Sequence, residues 1–221
     1  MTRVEFDKHL RELKDELLEM GSMVEKAIAR AVEALKKRDT EMARQIVEDD
    51  AKINRKRFDI EEKCVELIAT QQPLARDLRQ LVSILYMTVD LERMGDHAEG
   101  IARINIRMGD EPLLKPLIDI PRMAQLGIDM THRALQAFID LDVEGARAVS
   151  ASDDEVDALY DQVYRELLIY MIQDPRTIQR ATYLLWIAHD LERIADRATN
   201  IAERVVFTVT GKMDEIGVSK Y

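Results

Sequence analysis

Asp90-Leu-Glu-Arg-Met-Gly-Asp-His-Ala-Glu-Gly-Ile-Ala102 and Asp190-Leu-Glu-Arg-Ile-Ala-Asp-Arg-Ala-Thr-Asn-Ile-Ala202 decide the fold. The two stretches lie 100 residues apart and agree at eight of thirteen positions, where chance supplies about one. Apolar residues recur within each at steps of three and four: Leu91, Met94, Ala98 and Ile101, then Leu191, Ile194, Ala198, Ile201 and Val205. That is the helical period, and it marks the seam of a packed bundle. Upstream, the alignment continues at an offset of 103: Asp39 matches Asp142, Ala43-Arg44 matches Ala146-Arg147, Ile46 matches Val149 and Ile53 matches Val156. A net deletion of three residues in the second copy reconciles the two offsets.

Working outward, a long amphipathic helix runs from Phe6 to Leu35 and is broken by Lys36-Lys37-Arg38-Asp39-Thr40, where Asp39 or Thr40 caps the next helix. A second helix carries Ile46, Ile53, Ile60 and Leu67 and ends at Gln71-Gln72-Pro73. A third starts near Leu74. Gly109-Asp110-Glu111-Pro112, Pro116 and Pro121 form the Pro-dense region, read as a linker. The pattern then repeats, with helices over about 121–141, 142–172 and 176–210 and a turn at Asp174-Pro175. The expected fold is all-α: two tandem antiparallel three-helix bundles related by internal duplication, six helices in all. The first spans residues 1–110, the linker 111–117 and the second bundle 118–221.

Composition agrees. Among 221 residues, 8 Gly and 5 Pro leave few turns for an all-β chain, and 47% hydrophobic residues suffice for a core. A net charge of −10 repels nucleic acid and anionic membrane surfaces. The single cysteine, Cys64, excludes an internal disulfide and a cysteine zinc cluster, and its apolar neighbours predict a buried, inert thiol. The longest uncharged stretches, Gln80–Val89 and Ala181–His189, are about half the ~20 residues a membrane span needs. Met1-Thr2-Arg3-Val4-Glu5 has no apolar signal core. The expectation is a soluble, cytoplasmic chain.

Each third helix also carries an acidic stripe. Glu92 and Asp96 lie within about 40° of each other around the helix, away from the apolar seam, and Glu192 and Asp196 repeat the arrangement. Like charges at i and i+4 destabilise a helix by about 0.2–0.5 kcal/mol, so an idle surface should lose the pairing; both copies keep it. If helices two and three of each copy are antiparallel, Glu92 lies level with a point between Asp50 and Asn54. Glu192 lies level with a point between Asp153 and Asp157. Facing oxygen ligands on rigid elements suit iron, manganese, magnesium or carboxylate-bound zinc. Asp50 and Asp153 have a second reading, as helix-start residues favoured by the helix dipole.

These motifs resemble the two (E/D)xxxD motifs of the PhoU family, regulators of bacterial phosphate uptake, and Gln72-Pro73-Leu-Ala-Arg-Asp-Leu-Arg79 is similar to that family as well. The resemblance spans essentially the whole chain. It implies a PhoU-like, spectrin-repeat-like, homodimeric cytoplasmic protein that is not an enzyme. It implies work with the ATPase subunit of a phosphate ABC transporter and negative control of a phosphate-sensing histidine kinase. It further implies iron, zinc or another divalent cation at Glu92, Asp96, Glu192 and Asp196, with Asp50, Asn54, Asp153 and Asp157 opposite. Three departures bear on the sites: Asn54 replaces a carboxylate, Gly100 stands where the second copy has Asn200, and Arg197 stands where the first has His97. A weaker first site is expected, with Arg197 pairing with the second site's acids.

Other residues are read as structural. His9 is a surface residue, His132 lacks the Glu-x-x-His context of di-iron bundles, and His189 matches Val89, outside the repeated chemistry. Trp186 is a core or interface residue. No phosphate-binding glycine loop and no nucleophile–base pair is present. The rival readings are a carboxylate-bridged helical-bundle metalloenzyme and a metal-free helical adaptor.

Overall fold

A computed structural model describes residues 3–109 and 111–212. Met1, Thr2, Asp110 and residues 213–221, assigned above to the two bundles, lie outside the described residues. Among the described residues there are seven α-helices and one 3₁₀ turn, with no strand. They are α1 (Arg3–Lys37), α2 (Thr40–Gln71), α3 (Ala75–Met108), α4 (Asp119–Asp140), α5 (Val143–Ser150), α6 (Asp153–Gln173) and α7 (Ile178–Thr210), with the 3₁₀ turn at Pro175–Thr177. No helix among them is long and apolar enough to cross a membrane.

The first turn of each repeat shows how closely the copies agree. Arg38 and Leu141 both adopt left-handed backbone, at φ 61° and 56°. The next residue, Asp39 or Asp142, sends its backbone N–H back to Ala34 or Ala137, 2.9 Å in each case. Its carboxylate then caps the following helix by accepting from Met42 N–H (2.8 Å) or Gly145 N–H (3.0 Å). Asp142→Ala should lower stability by about 1 kcal/mol. That is a fall of about 2–4 °C in Tm for a chain of this size, read by thermal circular dichroism; an unchanged Tm would show that the cap is idle.

Seven helices stand where six were expected, because the second repeat's middle helix divides at Ala151–Ser152. The first repeat has Val47-Glu48-Asp49 there and runs unbroken. The second has Ser150-Ala151-Ser152, and serine hydroxyls compete with the backbone for hydrogen bonds. Ser152 donates to Ala148 O (3.0 Å) and accepts from Arg133 (2.7 Å), and its N–H folds back to Val149 O (2.9 Å). Asp153 then starts α6, so its helix-start reading holds, whereas Asp50 lies inside α2. Pro121 sits in the first turn of α4 rather than before it, where a missing N–H costs nothing.

The linker is not a free tether. Lys115 is buried against the second repeat, paired with Glu166 and with Asp119 (3.7 Å). The two repeats join through α3 and α7, which pack antiparallel. His97 meets Asp190 (3.0 Å), Arg197 meets Asp90 (3.4 Å), and the Ser83 and Thr208 hydroxyls share a hydrogen bond (2.7 Å). Positions 97 and 90 pair with 190 and 197, so the contact has a pseudo-twofold axis near Met94 and Ile194. Leu91, Met94, Ala98 and Ile101 and their counterparts Leu191, Ile194, Ala198 and Ile201 are fully buried. Cys64 is buried too, and its thiol is pushed up to about 12 by desolvation, then by Glu16 and Glu61; it is inert, as expected.

Candidate functional site

In the second repeat, α6 and α7 bring four carboxylates into one cleft. Asp153 is pushed up to about 7 by desolvation and by the charges of Asp157, Asp196 and Glu192. Glu192 is pushed up to about 7 by desolvation and Asp196, with Arg193 opposing and Asp157 adding. Asp157 is also raised, by desolvation and then Asp196. Three of the four carboxyls are thus held above the usual carboxylate range, and the cleft favours added positive charge. Arg193 meets part of that demand. It reaches Glu192 Oε2 (3.0 Å) and Asp196 Oδ2 (2.9 Å).

The first repeat repeats the plan with changes. Asp50 is pushed up to about 6 by desolvation, then Glu99 and Asp96, against a hydrogen bond from Asn54 Nδ2 to its Oδ2 (2.8 Å). Asn54 therefore acts here as a donor to the acid beside it. Arg93 reaches Asp96 (3.3 Å) and Glu92 (3.7 Å), and Arg57 of α2 donates to Glu92 Oε1 (2.9 Å). Counting outward from the hairpin turn puts residue 52 level with Glu92; the partner found is Arg57, more than a turn closer to the hairpin. The helices themselves keep close to the counted register, since Gly95 meets Ile53 and Asp50, and the long Arg57 side chain spans the difference to reach Glu92.

Glu92 and Glu192 do not stand on an open outer face. Each side chain is 14% exposed, sunk between the third helix of its repeat and the preceding one. The departures at 97, 100, 197 and 200 lie elsewhere, in the α3–α7 contact. Arg197 and Asn200 both donate to Asp90, at 3.4 and 3.3 Å, so Arg197 does not pair with the second site's acids as expected. Gly100 leaves room for Asp190, whose Oδ2 lies 3.2 Å from where a Cβ would stand. Asp90 and Asp190 thus spend their charge across the pseudo-twofold axis and not on Arg93 and Arg193. Sequence reasoning missed Arg57, Tyr160 and His189. His189 Nδ1 lies 3.6 Å from Glu192 Oε2, and its ring tilts against that of Tyr160 at 6.1 Å. The three-residue spacing of His189 and Glu192 on one helix was the available signal. Trp186 is 47% exposed and edge-on to Tyr183, which excludes a core role.

The donor set fits a hard cation. Asp50 Oδ1 and Asp153 Oδ1 are buried oxygens that accept no hydrogen bond and occupy equivalent positions in the two repeats; Glu92 Oε2 and Glu192 Oε2 accept none either, with an arginine Nε 3.7 and 3.0 Å away. A buried carboxylate oxygen without a donor is costly unless a charge is supplied to it. Among the described residues no three His, Cys, Asp or Glu side chains converge as a ready cage, and Arg93 and Arg193 contact the acids instead.

Comparison with known proteins places the fold and the repeat in a family. A PhoU domain model matches residues 17–104 and 120–205. The phosphate-specific transport system accessory protein PhoU homolog of Clostridium acetobutylicum is 39% identical over 217 residues, 98% of this chain and 99% of the relative. The crystal structure of PhoU from Pseudomonas aeruginosa superposes with a TM-score of 0.89 at 38% identity, covering 94% of this chain and 100% of that one. The phosphate transport system regulatory protein PhoU from Streptococcus pneumoniae superposes with a TM-score of 0.88 at 34% identity, covering 95% and 99%.

Proposed function

The chain belongs to the PhoU family, and from that premise we propose that it is an accessory regulator of phosphate-specific transport that acts by binding rather than by catalysis. Its partners on this reading are the transporter's ATPase subunit and a phosphate-sensing histidine kinase held in check, in the cytoplasm, with homodimeric assembly part of the same reading. The observation that carries it is the twofold acidic cleft. The same acids, with equivalent buried oxygens left without donors, recur in both repeats while the surrounding residues have diverged.

A divalent cation such as iron or zinc would be held by Asp153, Asp157, Glu192 and Asp196 in the second repeat and by Asp50, Glu92 and Asp96 in the first. When bound it supplies the positive charge that these acids lack. The residues themselves hold the acidic stripe rigid, because the helices that carry it are packed through fully buried seams. A net charge of −10 steers encounter with a basic partner surface.

The test is co-purification of the ATPase subunit and the kinase with wild type and with the Glu92/Asp96/Glu192/Asp196→Ala variant. Association should fall at least about tenfold in the variant, with helical content unchanged, because these residues lie off the apolar seams. The on-rate should also fall as salt rises, where the screening length is ~8 Å at physiological strength. Full-strength, salt-insensitive association by the variant would place recognition on another surface.

A further inference from the structure

The two clefts differ in a way that decides which of them takes up a cation. In the first repeat, the Arg57 guanidinium lies inside the cleft, held between Glu92 (2.9 Å) and Glu61 (2.6 Å). At the offset of 103 that aligns the middle helices, Arg57 corresponds to Tyr160, Glu61 to Tyr164, Asn54 to Asp157 and Lys52 to Glu155. Every one of these changes moves the second cleft toward negative charge or removes a positive one, apart from Glu61, which is the anchor of Arg57 and is lost with it. The first cleft sets Asp50, Glu92, Asp96 and Glu99 against three guanidiniums, Arg57, Arg93 and Arg103. The second sets Asp153, Asp157, Glu192 and Asp196 against one guanidinium, Arg193, with the His189 imidazole 3.6 Å from Glu192.

The approach to the clefts differs as well. A cavity of about 180 Å³ opens beside Asp50 and Gly95, and its walls carry Lys26, Arg30 and Lys52. Arg30 and Lys52 pair with Asp49 at 2.8 and 2.7 Å, which leaves the Lys26 ammonium facing any entering cation. In the second repeat the position of Lys52 is acidic, and Glu155 is engaged by Arg122 (2.6 Å) at the α4–α6 surface.

We propose that Arg57 is a tethered cation that fills the first cleft, so that a divalent metal ion enters the second repeat in preference to the first. This rests on the cation reading above and concerns which repeat is loaded. Arg57 is a specificity-determining residue: its charge lies within a few ångströms of where a metal ion bound to Glu92 would stand, and it already makes the contact that the ion would make. Placing a fixed unit charge there weakens metal binding on the order of tenfold or more.

The experiment is titration of the metal-stripped full chain with Mn²⁺, followed calorimetrically at physiological ionic strength, with circular dichroism confirming equal helical content. Wild type should show one tight class of uptake that Asp157→Asn removes and Asp50→Asn leaves in place. Arg57→Gln should tighten the weak class about tenfold or more, and Tyr160→Arg should weaken the tight class by a similar factor. The Tyr160 variant tests the same charge in the opposite direction, so a poorly folded Arg57 variant does not block the result. Isotherms of wild type, Arg57→Gln and Tyr160→Arg that superimpose, or a tight class lost with Asp50→Asn and kept with Asp157→Asn, would overturn the assignment while leaving cation binding intact. No Mn²⁺ uptake by any variant would overturn both the assignment and the cation reading.

Discussion

Gly95→Leu should lower Tm by about 6–12 °C. A Cβ at position 95 would stand 3.2 and 3.3 Å from the Ile53 side chain and 3.4 Å from Asp50 Oδ1. The remaining leucine atoms must then occupy space that Ile53 already fills, or force α2 away from α3. Overpacking of a well-filled core costs about 1–3 kcal/mol, and the upper end applies where the neighbour is itself β-branched and fully enclosed. Each kcal/mol moves Tm by about 2–4 °C at this length. Alanine at the same site is a milder test. It gains about 1 kcal/mol of helix propensity over glycine and loses a similar amount if Ile53 must shift. The second repeat contains its own solution: Ala195 stands where the first has Gly95, and Val156 stands where it has Ile53. Gly95→Ala combined with Ile53→Val should therefore be more stable than the sum of the single changes. A coupling energy below about 0.5 kcal/mol in the double-mutant cycle, or a Gly95→Leu protein that melts with wild type, would show that the α2–α3 contact is loose at this point.

The same pair shows what the amino-acid sequence discloses and what it conceals. The seam Leu91, Met94, Ala98 and Ile101 is legible because burial along a packed helix recurs with the helical period, and all four residues are fully buried. The duplication is legible because the same acids have survived alongside the seam in both copies. The turn at Asp39 and Asp142 is legible because a cap is a local device, set by residues within one turn. The division between α5 and α6 was also written locally, in Ser150-Ala151-Ser152, but helical period alone runs across it. The partners of Asp90 and Asp190 are concealed for a different reason. Each is satisfied across the α3–α7 contact, by a residue about 100 positions away, and counting outward from the hairpin turns within one repeat never reaches that interface. Arg57 is concealed by reach: it lies more than a turn from the position level with Glu92, and counting residues does not show that a long guanidinium side chain spans that distance.

Glu192→Gln, compared with wild type in the presence of chelator, should melt several degrees higher at pH 8 and lose most of that advantage by about pH 5, close to the unfolded value. Asp153 and Glu192 have folded-state pKa values near 7, raised from 3.8 and 4.5, first by desolvation and then by Asp157 and Asp196 respectively. A carboxyl whose pKa is raised on folding binds its proton more tightly in the native state. Stability then falls as pH rises from the unfolded value toward the folded one, and the full penalty is in place above about pH 7. Asp50 and Asp157, raised in the same direction, add to the trend. His189, lowered by burial and then Arg193, opposes it below its ordinary value of 6.5, which is why the comparison is between two proteins and not between two pH values of one. Glutamine keeps the shape of Glu192 and removes its charge from a cleft that holds Asp153, Asp157 and Tyr160 on α6 and Asp196, Arg193 and His189 on α7, with His97 of α3 nearby. Asp196 is 30% exposed and Arg193 contacts both it and Glu192, so screening holds the gain to a few degrees at about 2–4 °C per kcal/mol. Adding Mn²⁺ should reverse the order, because a ligand that binds only the folded state stabilises by RT ln(1 + [L]/Kd), and the variant has surrendered a ligand oxygen. Wild type would then melt higher than Glu192→Gln at pH 8, and the crossover separates a cleft that binds cations at the expense of its own stability from one that is merely acidic. Equal melting of the two proteins in chelator at pH 8 would mean that the acids are already relieved by Arg193 and solvent.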